Sequence, residues 1–349
     1  MSELRQHWPL PARPRPIAIL GTGGIVKDAH LPAYRKAGFT VAGLYDVDQD
    51  RARALAAEWG IATVYPTLAD AAAADAVFDV AAPAAVHADI LRALPEGATV
   101  LLQKPMGLDL EAAREIRTLC HERRLIASVN FQLRYSPMML ALADAIHRGL
   151  LGDLVEIEVH LNLVTPWHLF PHLATNPRVE IVSHSIHYLD TIRALAGDPR
   201  GVFARSFGHP ASALADTRTT ALLDYGEVLR ATLSINHHHD FGRRFQDASF
   251  RVEGTEGAAQ VKLGLLLDYP TGEPDELWLV RKGGEWAQVA LEGRWFPDAF
   301  VGPMANLQRF AAGEDAVLAT RVDDAWKTMA LVEAAYRSAT QPMTPIPVE

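Results

Sequence analysis

The chain has little of three things: cysteine, positive charge and long apolar runs. Its 349 residues include one cysteine, Cys120, so no internal disulfide can form. Lysine and arginine number 33 against 42 aspartates and glutamates, a formal net charge of −9 at pH 7. This balance provides no basic field for nucleic acid or an anionic membrane. No apolar stretch reaches the length that spans a bilayer, and we expect no secretory leader.

The low content of cysteine, positive charge and long apolar segments leads us to expect a cytoplasmic protein. Its length is sufficient for two domains. Residues 8–16 are rich in proline and arginine, and we interpret residues 1–16 as a loose N-terminal arm. Cys120 falls in a predicted helix over 110–123, where a buried, unreactive thiol is expected rather than a nucleophile.

Residues 17–134 alternate short apolar strands with helices. Strands that are apolar throughout, with helices between them, indicate a parallel sheet covered on both faces. We therefore predict a doubly wound α/β domain of the Rossmann type over this range. Its predicted strands are 17–20, 39–45, 77–82, 98–102 and 126–130.

Residues 135–349 follow a different pattern. The segment 154–163 alternates strictly between apolar and polar residues, which is typical of a half-buried strand in a mostly antiparallel sheet. We predict an α+β domain with a large, mostly antiparallel open sheet and flanking helices. Further predicted strands are 202–207, 217–224, 228–235, 249–253, 258–263 and 277–281, and predicted helices are 184–196, 304–312 and 323–338.

A glycine-rich turn follows the first predicted strand. It consists of Gly21, Thr22, Gly23, Gly24, Ile25 and Val26. Such a turn lets the backbone approach a pyrophosphate at the N-terminus of the next helix, although Val26 replaces the usual small residue. A turn without a ligand is the alternative, but Asp46 at the end of the second strand favours a dinucleotide site. A carboxylate there binds the adenosine ribose and repels a 2′-phosphate, so NAD is predicted over NADP.

A second signal follows the fourth predicted strand, where Gln103, Lys104 and Pro105 occur. Open α/β sheets bind ligands at the carboxyl ends of their strands. A lysine there can hold a substrate oxygen, and its partial burial beside a positive nicotinamide lowers its pKa and aids proton exchange. A cofactor turn and a reactive amine at one sheet edge predict hydride-transfer chemistry. The alternative is a surface lysine whose stem packs along the protein.

A polar stripe is predicted on the helix that includes residues 183–190. Ser183, His187 and Asp190 fall at i, i+4 and i+7 and so share one face, with His184 at its border. His187 is a candidate general base. The alternative is a structural histidine held by Asp190.

These motifs together resemble the Gfo/Idh/MocA family of oxidoreductases, from residue 17 to about residue 338. The resemblance rests on the glycine turn, Asp46, Ala82, Pro83, His87, Lys104, Pro105, Arg134, Tyr135, His187 and Asp190. It implies NAD(P)-dependent oxidation or reduction of a sugar, inositol or related polyol, with Lys104 and His187 as catalytic residues. It also implies that Ala82 and Pro83 border the cofactor, while His87 either contacts the cofactor or only begins a helix.

Two positions depart from the family pattern. Gln103 replaces the glutamate of the Glu-Lys-Pro tripeptide, which keeps hydrogen bonding but removes a charge beside Lys104. Ser183 replaces an aspartate often found four residues before the histidine, and a serine cannot raise the pKa of His187 by charge. The principal base is therefore open, and Lys104 alone is one possibility. Residues that could compensate are Glu180, His184 and Asp190.

Further side chains are expected to complete a substrate pocket. The expected substrate-binding residues are Asn130, Arg134, Tyr135, Trp167, Ser183, His184 and Asp190, with His168 and His172 in the loop of Trp167. The run from His237 to His239 predicts no metal site, because alternate side chains of an extended segment point to opposite faces.

The leading function is an NAD-dependent sugar or polyol dehydrogenase. Two alternatives are an NAD-dependent glycosidase of the same fold and a non-catalytic regulator that binds a dinucleotide. We also expect a homodimer or homotetramer, because the helices of the second domain suffice to cover only one face of its sheet. The other face is expected to keep apolar positions that need a partner.

Overall fold

The computed structural model describes residues 3–170 and 173–347, which form two sheets. The first sheet is parallel throughout, with the strand order β2-β1-β3-β4-β5. Its strands are β1 (Ile17–Leu20), β2 (Val41–Tyr45), β3 (Val77–Val80), β4 (Thr99–Leu102) and β5 (Ile126–Val129). The helices of this half are α1 (Leu31–Ala37), α2 (Gln49–Trp59), α3 (Leu68–Ala72), α4 (His87–Ala93), α5 (Leu110–Glu122) and α6 (Pro137–His147).

The predicted doubly wound domain is confirmed, with strand ends that differ by one or two residues. The second strand begins at Val41 rather than Phe39 because the chain before it completes the end of α1. Gly38 has a left-handed φ of +73°, and the N–H of Phe39 donates to the carbonyl of Tyr34 at 2.9 Å. Cys120 is buried in α5, and this burial raises the pKa of its thiol to about 12, as expected for an unreactive residue.

Within the described ranges the second sheet has eight strands in the order β13-β12-β11-β10-β6-β9-β8-β7, and only β6 and β9 pair in parallel. Its strands are β6 (Leu154–Asn162), β7 (Gly201–Phe207), β8 (Arg218–Asp224), β9 (Arg230–Asn236), β10 (Asp247–Gly254), β11 (Gly257–Lys262), β12 (Glu276–Arg281) and β13 (Ala287–Gln288). The later helices are α7 (Ile186–Ala196), α8 (Val301–Ala311) and α9 (Val322–Ala339). This mostly antiparallel sheet with flanking helices confirms the predicted second fold.

The two faces of the second sheet differ in polarity. Ile157, Val159 and Leu161 of β6 point into the core. The residues that alternate with them are polar, as are their neighbours on β10, where Arg251 forms an ion pair with Glu158 at 2.9 Å. The expected apolar positions on the outer face occur at its β7–β8 edge, where Phe203 and Leu222 are exposed. On β6 and β10 the outward-facing side chains are polar instead.

The N-terminal arm is docked rather than loose. Leu4 and Gln6 are buried, and the Gln6 side chain bonds both the Ala290 carbonyl and the Glu292 N–H at 2.9 Å. The indole N–H of Trp8 donates to Asp315 at 2.9 Å. The prediction of a loose arm is wrong. These partners of the arm lie 284 to 307 positions later in the sequence, and no local pattern indicates such contacts.

Helix α8 returns to the first sheet near the end of the chain. Phe300, Met304 and Leu307 are buried in one cluster with side chains of β1 and β4. Residues outside 17–134 thus cover part of one face of the first sheet, beside side chains of α1 and α2, and the predicted boundary at residue 134 stays a prediction. No helix in the described ranges is long and apolar enough to cross a membrane.

Candidate active site

The turn after β1 leaves room for a ligand close to the backbone. Gly21 has a φ of +104°, and a Cβ there would lie 2.8 Å from backbone atoms of Ala81 and Ala82. A Cβ on Gly23 would meet nothing within 4 Å, so the space above it is open. The helix that follows opens with a π turn, Val26–His30, before α1. This turn fits a pyrophosphate, since only glycine permits the tight bend and the close approach.

Asp46 lies buried just beyond the end of β2. Its carboxylate accepts hydrogen bonds from the Thr22 N–H at 2.7 Å, the Thr22 hydroxyl at 2.8 Å and Arg51 at 2.7 Å. Burial tends to raise the pKa of Asp46, but hydrogen bonds from Asp48, Arg51 and Thr22 outweigh it and lower the pKa below its usual value. The carboxylate is therefore ionised and fixed beside the glycine turn, as a ribose ligand requires.

His87 holds the loop that follows β3. It is the first residue of α4 and fully buried, and its Nε2 lies 3.0 Å from the carbonyl oxygen of Ala82. Burial lowers the pKa of His87 to about 4, so the ring is neutral and Nε2–H donates to that carbonyl. The structure thus shows His87 positioning Ala82 and Pro83, the loop against which Gly21 packs.

Lys104 leaves β4 and reaches toward α7. Its Nζ donates to the carbonyl oxygen of Ser183 at 2.8 Å. Burial lowers the pKa of Lys104 to about 8, so the amine is mostly charged near neutral pH but loses its proton far more easily than an exposed lysine. This is a half-buried, directed amine rather than a lysine that extends along the surface.

A second π turn, Ile181–Ser185, precedes α7 and contains Ser183. The helix predicted to begin at residue 184 therefore starts earlier. In a π turn, bonds between residues i and i+5 replace the regular i, i+4 pattern, and such turns are frequent at functional sites. Here the turn brings the Ser183 carbonyl to the amine of Lys104 and leaves Ser183 and His184 half-buried.

Two neutral imidazoles lie beside Lys104. Burial and then the charge of Lys104 lower the pKa of His187 well below its usual value. Burial, His237 and Lys104 likewise lower the pKa of His184. In the described part of the chain, Nδ1 of His184 and Nδ1 of His187 have no hydrogen-bond partner. Both nitrogens are thus free for a ligand.

The Trp167 ring borders the same space. Its centroid lies 5.1 Å from that of His184 and 5.3 Å from that of His237, both edge to face. Its indole N–H has no acceptor among residues 3–170 and 173–347. His237 is itself held by the Thr165 hydroxyl at 2.7 Å and lies 3.4 Å from Glu180. Trp167, His184 and His237 therefore form an aromatic cluster, next to the residue whose carbonyl binds the Lys104 amine.

Other expected substrate residues are engaged elsewhere. Arg134 binds Asp190 through two hydrogen bonds of 2.5 and 2.6 Å, and Thr328 also donates to Asp190. This buried pair joins α7 to α9 through Asp324, which bonds Arg134 at 2.8 Å. The described contacts of Asp190 thus provide no support for the alternative in which it holds His187. Tyr135, also buried, donates to Asn306 at 3.1 Å.

The remaining candidates also lie outside this group. Asn130 is buried behind Lys104, with its amide nitrogen 3.5 Å from Nε2 of His30. His238 stacks on His209, while His239 lies 3.0 Å from the Asn162 amide. No three metal-ligating side chains converge within the described ranges. His168 is exposed, and His172 lies outside the described residues.

Sequence reasoning missed the buried polar residues behind the site. Asp79 interrupts an apolar strand, and His30 and Tyr34 lie on the buried side of the first helix. A carboxylate in a strand that is otherwise apolar was the available signal, because a buried charge requires partners.

Comparisons with known proteins agree with this geometry. The model of the GFO/IDH/MocA oxidoreductase family, NAD-binding Rossmann fold, matches residues 15–131, and the family's C-terminal domain model matches residues 139–260. The chain belongs to the GFO/IDH/MocA family. It is an NAD(P)-dependent oxidoreductase, which confirms the predicted family and enzyme class.

Relatives match along most of the chain. D-apiose dehydrogenase of Paraburkholderia graminis is 26% identical over 349 residues, covering 94% of this chain and 88% of the relative. D-xylose 1-dehydrogenase (NADP+) 2 of Haloferax volcanii is 25% identical over 337 residues, covering 92% of this chain and 96% of the relative. The solved structure of levoglucosan dehydrogenase with NADH and levoglucosan has a TM-score of 0.78 at 16% identity, covering 94% of this chain and 97% of that one. This last likeness concerns the fold.

Proposed function

We propose that this family member oxidises a secondary alcohol, or reduces the corresponding carbonyl, of a sugar or polyol. The observation that carries the proposal is the Lys104 amine, whose pKa burial lowers to about 8, directed into a space bordered by two neutral imidazoles. Such a group can exchange a proton with a hydroxyl near neutral pH. The similarity to D-apiose and D-xylose dehydrogenases supports a sugar substrate.

The dinucleotide would be held by the turn over residues 21–26 and by Asp46. When bound, its nicotinamide supplies the acceptor or donor of hydride. In oxidation, the neutral Lys104 amine accepts the hydroxyl proton, and in reduction the ammonium donates it. His184 and His187 bind neighbouring hydroxyls through their free nitrogens. Trp167 packs its ring against the sugar and donates its indole N–H.

We propose NAD as the preferred dinucleotide. Asp46 is ionised and buried, so a 2′-phosphate beside it would meet a like charge in a confined space. Arg51, which pairs with Asp46 at 2.7 Å, moderates this repulsion. We expect NAD to bind more tightly than NADP in a fluorescence titration. In Asp46→Ser we expect the two dissociation constants to be closer to each other. Asp48→Ser is the matched control, and comparable binding of both dinucleotides by the wild type would contradict the prediction.

We further propose a homodimer or homotetramer of the cytoplasm. The outer face of the second sheet, with ion pairs such as Arg230 with Glu156, offers charges of both signs to a second copy. Phe203 and Leu222, exposed partners at its β7–β8 edge, add apolar area. A stable monomer at micromolar concentration in sedimentation would contradict the oligomer. The single buried Cys120 suits a reducing compartment.

The experiment that tests the activity measures NADH and NADPH formation with a panel of sugars, polyols and aryl glycosides. Lys104→Met is the control, because methionine keeps the length of the side chain without an amine. Formation of NADH with a sugar or polyol supports the proposal. Release of aglycone without net NADH would indicate the glycosidase, and tight NAD binding with no turnover of any compound would indicate the regulator.

A further inference from the structure

A buried chain of polar side chains connects β3 to the backbone of Lys104. Asp79, His30 and Tyr34 are all fully buried. Nδ1 of His30 lies 2.6 Å from Oδ2 of Asp79, and the Tyr34 hydroxyl donates to the same oxygen at 2.7 Å. On the other side of the ring, Nε2 of His30 lies 3.1 Å from Nε2 of Gln103.

The Lys104 backbone determines where the protons of this chain lie. Its N–H can only donate, and it lies 2.8 Å from Oε1 of Gln103. The NH₂ end of the Gln103 amide therefore faces His30. An amide NH₂ can only donate, so Nε2 of His30 accepts and carries no proton. The proton of the ring is then on Nδ1, from which it is donated to Asp79.

We propose that His30 is a positioning residue for Lys104. Asp79 selects the Nδ1–H form of His30, His30 orients the Gln103 amide, and the amide holds the Lys104 N–H at the carboxyl end of β4. The inference rests on the proposed function where it concerns turnover. The proton arrangement itself stands on the hydrogen-bond geometry alone.

The same geometry assigns a role to the amide at position 103. A glutamate there could accept from the Lys104 N–H but could not donate to Nε2 of His30. The ring would then lie between the carboxylates of residues 79 and 103, and Nε2 would face an acceptor, so a hydrogen bond there would require a proton on Nε2 as well. Gln103 thus allows a neutral ring and leaves the neighbourhood of the Lys104 amine without an added carboxylate.

The first test needs neither substrate nor cofactor. In the full chain labelled with ¹⁵N in its histidines, we expect the His30 ring to be protonated on Nδ1 and unprotonated on Nε2. His30→Gln and His30→Asn assign its signal. In Gln103→Glu we expect Nε2 of the same ring to carry a proton as well. A His30 ring protonated on Nε2 in the wild type, or unchanged in Gln103→Glu, would overturn the proposal.

The second test compares two replacements of the ring. The side-chain oxygen of His30→Gln can take the place of Nε2 and accept from Gln103, whereas His30→Asn replaces only Nδ1. We expect His30→Asn to lower kcat by on the order of 10-fold to 10²-fold, with little change in KM for the dinucleotide, and His30→Gln to restore most of the loss. Thermal melts of both variants verify the fold.

Equal kcat values for folded His30→Asn and His30→Gln would overturn the proposal that His30 positions Lys104. If the wild type turned over no substrate, the proposed function would fail while the ¹⁵N spectra still decided the proton arrangement. The two failures are therefore distinguishable.

Discussion

At the scale of single residues, Lys104 and His187 differ in what surrounds them. The Lys104 amine is directed by the Ser183 carbonyl, whereas Ser183, four residues before His187, brings no charge to that histidine. We expect Lys104→Ala to lower kcat more than His187→Ala, within the 10²- to 10⁴-fold that acid–base groups commonly contribute. NAD binding should persist in Lys104→Ala, because the turn and Asp46 lie elsewhere. Near-full turnover by Lys104→Ala with an inactive His187→Ala would reverse these roles.

The pH dependence should follow the Lys104 amine. Its pKa falls from 10.5 to about 8 because burial disfavours the charged form. Oxidation needs the neutral amine, so kcat/KM for oxidation should rise with pH and level off above about pH 8. Reduction needs the ammonium and should decline over the same range. Measuring the pH–rate profile in both directions checks this prediction. If the inflection near pH 8 remained in Lys104→Met, a group other than Lys104 would be responsible for it.

Ser183 offers a way to change the ionisation of His187. A carboxylate in Ser183→Asp would stabilise the imidazolium and raise the pKa of His187 from its lowered value. We expect the pH–rate profile to gain a dependence on this second group. Ser183→Asn is the control, since it has similar size and no charge. Identical profiles for the two variants would show that the charge does not reach His187.

Residues whose role follows from their place beside a strand could be predicted from the sequence. Residues whose role depends on a contact with a distant part of the chain could not. Gly21 and Asp46 follow strands in recognisable spacing, and the structure gives both the geometry that a dinucleotide needs. Arg134 and Asp190 each looked suited to a substrate. Their pairing unites residues 56 positions apart in the chain, which no local pattern indicates.

At the scale of elements, apolar periodicity predicted the strands except the two-residue β13, and most helices. The alternation in β6 was recognisable because one face of that strand is buried along its length. The two π turns, Val26–His30 and Ile181–Ser185, were not predicted. One extra residue in a helical turn leaves the apolar pattern nearly unchanged over so short a span, and tertiary contacts such as that of Lys104 with Ser183 accompany it.

At the scale of the whole molecule, the first sheet depends on the end of the chain. Phe300, Met304 and Leu307 cover part of one of its faces, and burial of each such side chain contributes roughly 1.5–3 kcal/mol. We expect a fragment of residues 1–136 to lack a cooperative thermal transition and to bind an apolar dye. The same fragment joined by a flexible linker to residues 296–320 should regain the transition. Cooperative melting of the shorter fragment would contradict this prediction.

The position of α8 also has a consequence for synthesis on the ribosome. Helix α8 is translated roughly 170 residues after β5, which at the usual rates of elongation is a delay on the order of 10 s. During that interval the nascent first domain has all its strands, but the part of one apolar face that α8 later covers stays exposed. The domain that emerges first is therefore completed last, and its nascent form is the stage of synthesis most exposed to aggregation and most in need of a chaperone.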